Sequence, residues 1–352
     1  MIEVAIVGAT GYAGAELLRL LTAHPQIKHI LAGSQSYEGI PFSRQYPSMK
    51  AIYDESCVEN DLNTLARQCD VIFLALPHGI ASKQVNEAIL DQCVIIDLGA
   101  DFRLKDIGVY EQWYKTKHEG RALLSKAVYG LCELYRDEIR HSRLIANPGC
   151  YTTCSILTLA PLLKAGLIEK DSIIIDAKSG VSGAGRSEKI DSMFCECNES
   201  IKPYGVATHR HTPEIEEQLS LALNNNTEGT GITVSFTPHL VPMNRGILTT
   251  CYAQLKSGVQ TAHIEQAYKE SYAGEHFIRL LGYGTFPETR WVKGSNWCDI
   301  GFTVDKRTNR IIACGALDNL VKGAAGQAVQ NMNIVFGFAE DAALETPPAF
   351  PV

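Results

Sequence analysis

The chain has 352 residues, 45% of them hydrophobic and 20% charged, which is enough for two domains in the proportions of an ordinary globular protein. Its formal net charge of -7, with no long basic run, speaks against nucleic acid or an anionic membrane surface as a partner. No apolar run approaches the ~20 residues that span a bilayer, and eleven scattered cysteines lack the paired spacing of a zinc site, so neither a membrane nor a metal is expected.

Residues 2–7 form an apolar strand pattern that starts at once, without a secretory signal; with cysteines that read as small buried residues, this points to the cytoplasm. Gly8-Ala9-Thr10-Gly11-Tyr12-Ala13-Gly14 follows, then a helical run in which Leu17, Leu18 and Leu21 share a face, and then a second strand at 27–32. This is one βαβ unit with G-x-x-G-x-x-G at its strand–helix junction. There glycines let a pyrophosphate approach the backbone, and the helix N-terminus favours its charge. Gly8, Thr10, Gly11, Tyr12 and Gly14 are therefore expected to hold a dinucleotide. No Asp or Glu stands in Gly33-Ser34-Gln35-Ser36-Tyr37, where an NAD site bonds the ribose 2′-OH. Ser34 and Ser36 suit a 2′-phosphate, so NADP(H) is expected; the plain alternative is a polar loop without contacts.

A buried strand at 70–76 ends in Pro77-His78-Gly79, a helix at 81–90 follows, and a strand at 94–98 ends in Gly99-Ala100-Asp101-Phe102-Arg103. Apolar strands alternating with helices predict a parallel sheet covered on both faces, with ligands at the carboxyl ends of its strands. Pro77 and His78 are candidates to line the cofactor site, or merely to cap a strand. Arg103 is a candidate for a substrate anion, or for an ion pair with Asp101 or Asp106. Tyr110, Trp113, Tyr114 and Tyr129 read as packing between domains.

The strand at 144–146 leads into Asn147-Pro148-Gly149-Cys150-Tyr151, and an apolar helical pattern follows to 165. This places the Cys150 thiol at a helix N-terminus, where the thiolate is favoured; the alternative is a turn before a small buried residue. After a strand at 172–177, Lys178-Ser179-Gly180-Val181-Ser182-Gly183-Ala184-Gly185-Arg186 has the composition of an anion cradle, with Lys189 close by, or of a flexible connector. His209-Arg210-His211-Thr212-Pro213-Glu214-Ile215 places two histidines before a helix for which Thr212 is the expected N-cap. Histidine is the usual acid/base at neutral pH, and Glu214 stands where it can orient His211; a solvated polar loop is the alternative. Strand patterns at 232–236, 247–255, 298–304 and 311–317, with a helix at 261–272, predict a second sheet with antiparallel pairs. Asp318-Asn319-Leu320-Val321-Lys322-Gly323 is expected to open a long helix to about 338 that returns to the first domain. The fold class is thus a Rossmann-type α/β dinucleotide-binding domain (1–149 plus 319–352) with an α+β, mixed-sheet catalytic domain (150–318).

On the Gly8 fingerprint, Asn147-Pro148-Gly149-Cys150, the 179–186 loop, His209-Arg210-His211-Thr212-Pro213-Glu214 and Asp318-Asn319-Leu320-Val321-Lys322-Gly323, the chain resembles the N-acetyl-gamma-glutamyl-phosphate reductases, a family of the semialdehyde dehydrogenase superfamily, over nearly its whole length. It departs from the family at Thr152, where Pro often follows Cys-Tyr. The resemblance implies NADPH-dependent reduction of an acyl phosphate, N-acetyl-L-glutamyl 5-phosphate, to its semialdehyde in arginine biosynthesis. It further implies a Cys150 thioester, proton transfer by His211 (or His209) with Glu214 as orienter, and a homodimer or homotetramer. Ser179, Gly180 and Asn319 join the cofactor contacts. Arg103, Asn147, Arg186, Lys189 and Arg210 are candidates for the substrate, with Arg245 weaker. Competing expectations are an aspartate-semialdehyde dehydrogenase, a phosphorylating glyceraldehyde-3-phosphate dehydrogenase, and a catalytically silent NADP-binding regulator.

Overall fold

The computed structural model describes residues 1–224 and 231–350, and the chain divides into two compact units, Met1–Pro148 with Ala324–Thr346 and Gly149–Gly323 with Pro347–Val352. In the first unit, β1 (Ile2–Val7), β2 (Ile27–Gly33), β3 (Val71–Leu74), β4 (Val94–Asp97), β5 (Val128–Tyr129) and β6 (Leu144–Ala146) form a sheet of order β2-β1-β3-β4-β6-β5. Every neighbouring pair is parallel. All of β3 and β4 is buried, as the unbroken apolar runs require when helices cover both faces.

Helix α1 (Tyr12–Leu21) buries Leu17, Leu18, Leu20 and Leu21. The expected helix at 81–90 is instead two single turns, Ala81–Gln84 and Glu87–Leu90. Asn86 separates them: it is extended, and its Oδ1 caps the second turn through the Ile89 N–H at 3.1 Å, a local bond that competes with a continuous helix. Helices α2 (Ile107–Tyr114) and α3 (Cys132–Arg140) follow. Tyr110 and Tyr114 stack at 4.8 Å and pack with Ala100 and Leu104 inside this unit. The expected helix from Asp318 also differs: a π turn, Val321–Ala325, precedes an α-helix, Gly326–Phe336. Buried amides on that last helix, Gln327 and Asn331, donate to the Gly130 carbonyl at 2.9 and 2.8 Å.

The second unit holds β7 (Ile174–Ser179), β8 (Lys202–Pro203), β9 (Ser235–Leu240), β10 (Ile247–Gln254), β11 (Ile278–Tyr283), β12 (Cys298–Asp305) and β13 (Arg310–Leu317), in the order β11-β12-β13-β10-β7-β9-β8. The sheet is mixed: β7/β9 and β11/β12 are parallel and the other pairs antiparallel. Burial alternates strictly along β10, so one face is covered and carries Ile247, Thr249, Cys251 and Ala253. Helix α4 (Cys150–Lys164) lies against β10 and β13, flanked by α5 (Thr212–Asn224) and α6 (Thr261–Ser271). Every residue of α4 from Tyr151 to Leu163 is buried, the mark of a helix that is apolar all round. Gly315 on β13 makes this approach possible, because a Cβ there would lie 2.3 Å from Thr158 Oγ1. Among the described residues no helix is long and apolar enough to cross a membrane.

Candidate active site

Two sets of predicted residues are built, one in each unit. In the first, the chain leaves β1 through Gly8, whose φ of +85° only glycine adopts easily. A Cβ at Gly8 would lie 2.5 Å from the Ala75 carbonyl oxygen, and one at Gly14 would lie 2.3 Å from the Gly8 oxygen. The loop is therefore wound tightly on itself, with the Gly11 N–H donating to Gly8 at 3.1 Å. Gly11 is the N-cap of α1 and no side chain caps that helix. The N–H groups of its first turn are thus left to an anionic guest, and a pyrophosphate fits this loop. Tyr12 heads the helix and is partly exposed. Thr10 and Ser34 share a hydroxyl hydrogen bond of 3.0 Å, and Ser34 is buried, so its hydroxyl fastens the loop to the end of β2. Ser36 is exposed.

Pro77 is exposed and the ring of His78 sits 5.4 Å from that of Tyr114. Two candidates for the substrate, Arg103 and Asn147, are hydrogen-bonded within the first unit. Arg103 is buried, with Nε on the Asn147 carbonyl (2.8 Å) and a terminal nitrogen on the Leu98 carbonyl (2.7 Å). Asn147 is fully buried; its amide nitrogen donates to Ala324 O at 3.1 Å, and its Oδ1 accepts from Asn331 at 3.1 Å. Backbone groups that must be paired when buried claim both side chains.

In the second unit, Cys150 is the first residue of the 15-residue helix α4 and is partly exposed, with Gly149 as N-cap. The peptide of Gly149 is held on both sides. Its N–H donates to Oε1 of fully buried Glu214 at 3.0 Å. Its carbonyl lies within hydrogen-bond distance of the Thr152 (2.6 Å) and Thr153 (2.9 Å) hydroxyls. Thr152 Oγ1 also stands 2.8 Å from Glu214 Oε1, so carboxylate, threonine and the turn before Cys150 form one buried knot. Helix α5 begins at Thr212 itself. The Thr212 hydroxyl is buried without a hydrogen-bond partner, so the N-cap expected there does not form.

Tyr151, the residue after Cys150, packs against both histidines. Its ring meets His209 edge-on at 5.7 Å and His211 at 6.0 Å, and its hydroxyl lies 3.1 Å from that of Tyr204. His209 is enclosed by Tyr151, Tyr204 (5.4 Å) and Phe236 (5.3 Å). Its Nδ1 accepts the His211 N–H at 3.1 Å, which places the ring proton on Nε2. Burial, and then the His211 and Arg210 charges, push its pKa down to about 2. At neutral pH His209 is therefore a neutral ring with its one proton on Nε2, and not the imidazolium of an acid catalyst.

Arg186, Lys189 and Arg210 are exposed, and the charge of Arg210 acts on His209 and Tyr204. Ser179 ends β7 and is buried, its hydroxyl on the Gly180 carbonyl at 3.0 Å. Gly180 abuts the 244–245 backbone, where a Cβ would lie 2.7 Å from Asn244 O. Asn319 ties these loops together: its amide donates to Ser182 Oγ at 2.9 Å and its Oδ1 accepts the Gly246 N–H at 2.8 Å. Tyr151, Thr152 and Asp318 lie in stretches that the sequence marks but carry no expected role in the site, and nothing local marks Tyr204.

Residues 3–142 match the model of the semialdehyde dehydrogenase NAD binding domain, and residues 150–319 that of the semialdehyde dehydrogenase dimerisation domain. Curated relatives named N-acetyl-gamma-glutamyl-phosphate reductase include those of Lachnoclostridium phytofermentans (54% identical over 351 residues, all of both chains) and Lachnospira eligens (55% over 352 residues, all of both). A third, from Campylobacter jejuni, is 54% identical over 344 residues, 98% of each chain. Among solved structures, aspartate semialdehyde dehydrogenase II of Vibrio cholerae complexed with ASA is similar in fold, with a TM-score of 0.72, 18% identity and coverage of 96% of this chain and 98% of that one. The Candida albicans aspartate semialdehyde dehydrogenase with NADP gives a TM-score of 0.69 at 18% identity, covering 96% and 99%.

Proposed function

The chain belongs to the semialdehyde dehydrogenase family, and on that premise we propose that it reduces N-acetyl-L-glutamyl 5-phosphate to N-acetyl-L-glutamate 5-semialdehyde and phosphate with NADPH, a step of arginine biosynthesis. The reaction type rests on one observation, Cys150 at the head of α4 beside the histidine pair on Tyr151. The substrate rests on the name shared by relatives of 54–55% identity over the full length.

The Cys150 thiolate, favoured at a helix N-terminus, attacks the acyl carbon; the carbon–oxygen bond to phosphate breaks and a Cys150 thioester forms. Backbone N–H groups of the first turn of α4 stabilise the oxyanion. When bound on the Gly8–Gly14 loop, the dinucleotide supplies the hydride that reduces the thioester carbon. His211 gives a proton to the carbonyl oxygen as the thiohemiacetal forms and takes it back as that collapses to aldehyde and thiolate. Glu214 and Thr152 hold the Gly149 peptide so that Cys150 keeps its direction. Arg186, Lys189 and Arg210 are the exposed cations for phosphate and the α-carboxylate.

NADP(H) is assigned because no carboxylate stands in residues 33–37 at the end of β2, where Ser36 is exposed. The reading places the enzyme in the reducing cytoplasm, consistent with eleven free cysteines, as a homodimer or homotetramer. The test is the reverse reaction. Purified protein is given N-acetylglutamate semialdehyde, phosphate and NADP, and NADPH absorbance is followed. Aspartate semialdehyde and NAD run in parallel, and a preference for either would overturn the substrate or cofactor assignment.

A further inference from the structure

After β13 the chain makes a turn that neither helix propensity nor the reaction explains. Asp318 is fully buried. Its Oδ1 accepts the N–H groups of Leu320 (2.8 Å) and Val321 (3.2 Å), and its Oδ2 accepts those of Gly294 (2.7 Å) and the Arg245 guanidinium (3.3 Å). Its carbonyl receives the Gly323 N–H at 2.9 Å, a bond that spans five residues, the spacing of a π turn, in place of the four of an α-helix. The neighbouring Asn319 is bolted to Ser182 and Gly246. The wide turn is thus fixed by two buried polar side chains.

What it delivers is Gly323. A Cβ on this residue would lie 2.7 Å from Cys150 Cβ, 3.1 Å from Cys150 Cα and 3.2 Å from Leu317 Cδ1. Carbon atoms rest about 3.5–4.0 Å apart, so any side chain there would displace Cys150 by on the order of 1 Å. An α-type turn has one residue fewer per hydrogen-bonded ring, so it would rotate a different residue toward Cys150. All of these contacts lie within the second unit.

We propose that the Asp318–Gly323 π turn is a positioning element for the nucleophile: it sets a bare backbone against Cys150, and by filling that side it confines the thiol to its reactive direction. This rests on Cys150 being the nucleophile. In this proposal Asp318 and Gly323 act through Cys150, as positioning residues.

The test uses the full-length Gly323→Ala protein. Three quantities are measured: thermal stability, kcat and KM in the reverse assay, and the rate of Cys150 alkylation by iodoacetamide, read on its peptide by mass spectrometry. A displacement of this size lowers kcat by about 100-fold while KM stays within about threefold, and slows Cys150 alkylation by about tenfold. Asp318→Asn serves as the second variant because it adds no atom near Cys150. Its amide nitrogen would face the Gly294 N–H and Arg245, donor against donor, and loosen the turn; alkylation should slow here too. A folded Gly323→Ala protein with native kcat and native alkylation would overturn the proposal. If that protein does not fold, native alkylation in Asp318→Asn overturns it. Alkylation reports Cys150 geometry whatever the enzyme's substrate, so failure of the functional reading would show separately, as an active Cys150→Ser protein.

Discussion

Replacing His209 by Asn separates the two histidines. Asn keeps a hydrogen-bond acceptor near the position of Nδ1, where the His211 N–H is held at 3.1 Å, but it does not titrate. In the folded chain burial keeps His209 neutral down to about pH 2, whereas an unfolded histidine takes up its proton near pH 6.5. Above pH 6.5 neither state is protonated and the residue has no effect on the pH dependence. Below it only the unfolded chain binds the proton, so stability falls as pH falls, by up to 1.36 kcal/mol per pH unit. Between pH 6.5 and 5.0 the loss is about 2 kcal/mol at most; with solvent reaching a ring that is not wholly buried, about 1–2 kcal/mol is expected. Urea unfolding at pH 7.0 and 5.0, followed by tryptophan fluorescence, should show His209→Asn losing that much less stability than the parent on acidification. The same variant should retain the neutral-pH limb of the kcat profile, which His211→Asn should abolish. An unchanged pH dependence of stability would refute the neutral ring. A His209→Asn protein that loses the kcat limb while His211→Asn keeps it would reverse their roles.

Three further outcomes follow from the same geometry. Cys150→Ser should abolish turnover while NADPH binding, followed by nicotinamide fluorescence, stays within about twofold, because the dinucleotide loop belongs to the other unit. Thr152→Val removes a buried hydroxyl shared between Glu214 and the Gly149 carbonyl; a loss of about 1.5–3 kcal/mol in urea unfolding, with reduced kcat, is expected and should be largely restored in Thr152→Ser. Gly14→Ala forces a methyl group to within 2.3 Å of the Gly8 oxygen, and should weaken NADPH binding at least about tenfold while leaving Cys150 alkylation unchanged.

The parts of this molecule that were legible in its sequence are those fixed by local chemistry. The first βαβ unit could be read because β1, the glycine loop and α1 each carry their own period and follow one another directly. Cys150 could be placed at a helix start because a strand and an apolar helical run bracket it. The helix at 81–90 failed for an equally local reason: one asparagine caps a new turn where the apolar pattern alone called for continuity. The mixed character of the second sheet was expected, but which of its pairs are parallel, β7/β9 and β11/β12, was not visible, because alternation along a strand says nothing of a neighbour's direction.

Glu214 shows most plainly where local reading stops. Three residues from His211 at the start of a helix, it is placed by spacing alone as an orienter of that ring. Its Oε1 is engaged by the Gly149 N–H and the Thr152 hydroxyl, 65 and 62 residues away, contacts that spacing does not reveal. A fully buried carboxylate has to collect donors, and the turn before α4 carries N–H groups that its own helix cannot use. Each end supplies what the other lacks. The Thr152 hydroxyl supplies a donor here, between the turn before Cys150 and the acid. The same logic holds at Asp318, which gathers N–H groups from its own turn and from Gly294, together with the Arg245 guanidinium. On both sides of Cys150 a buried acid organises backbone that secondary structure leaves unpaired, so Cys150 is held by tertiary contacts that no motif around it encodes.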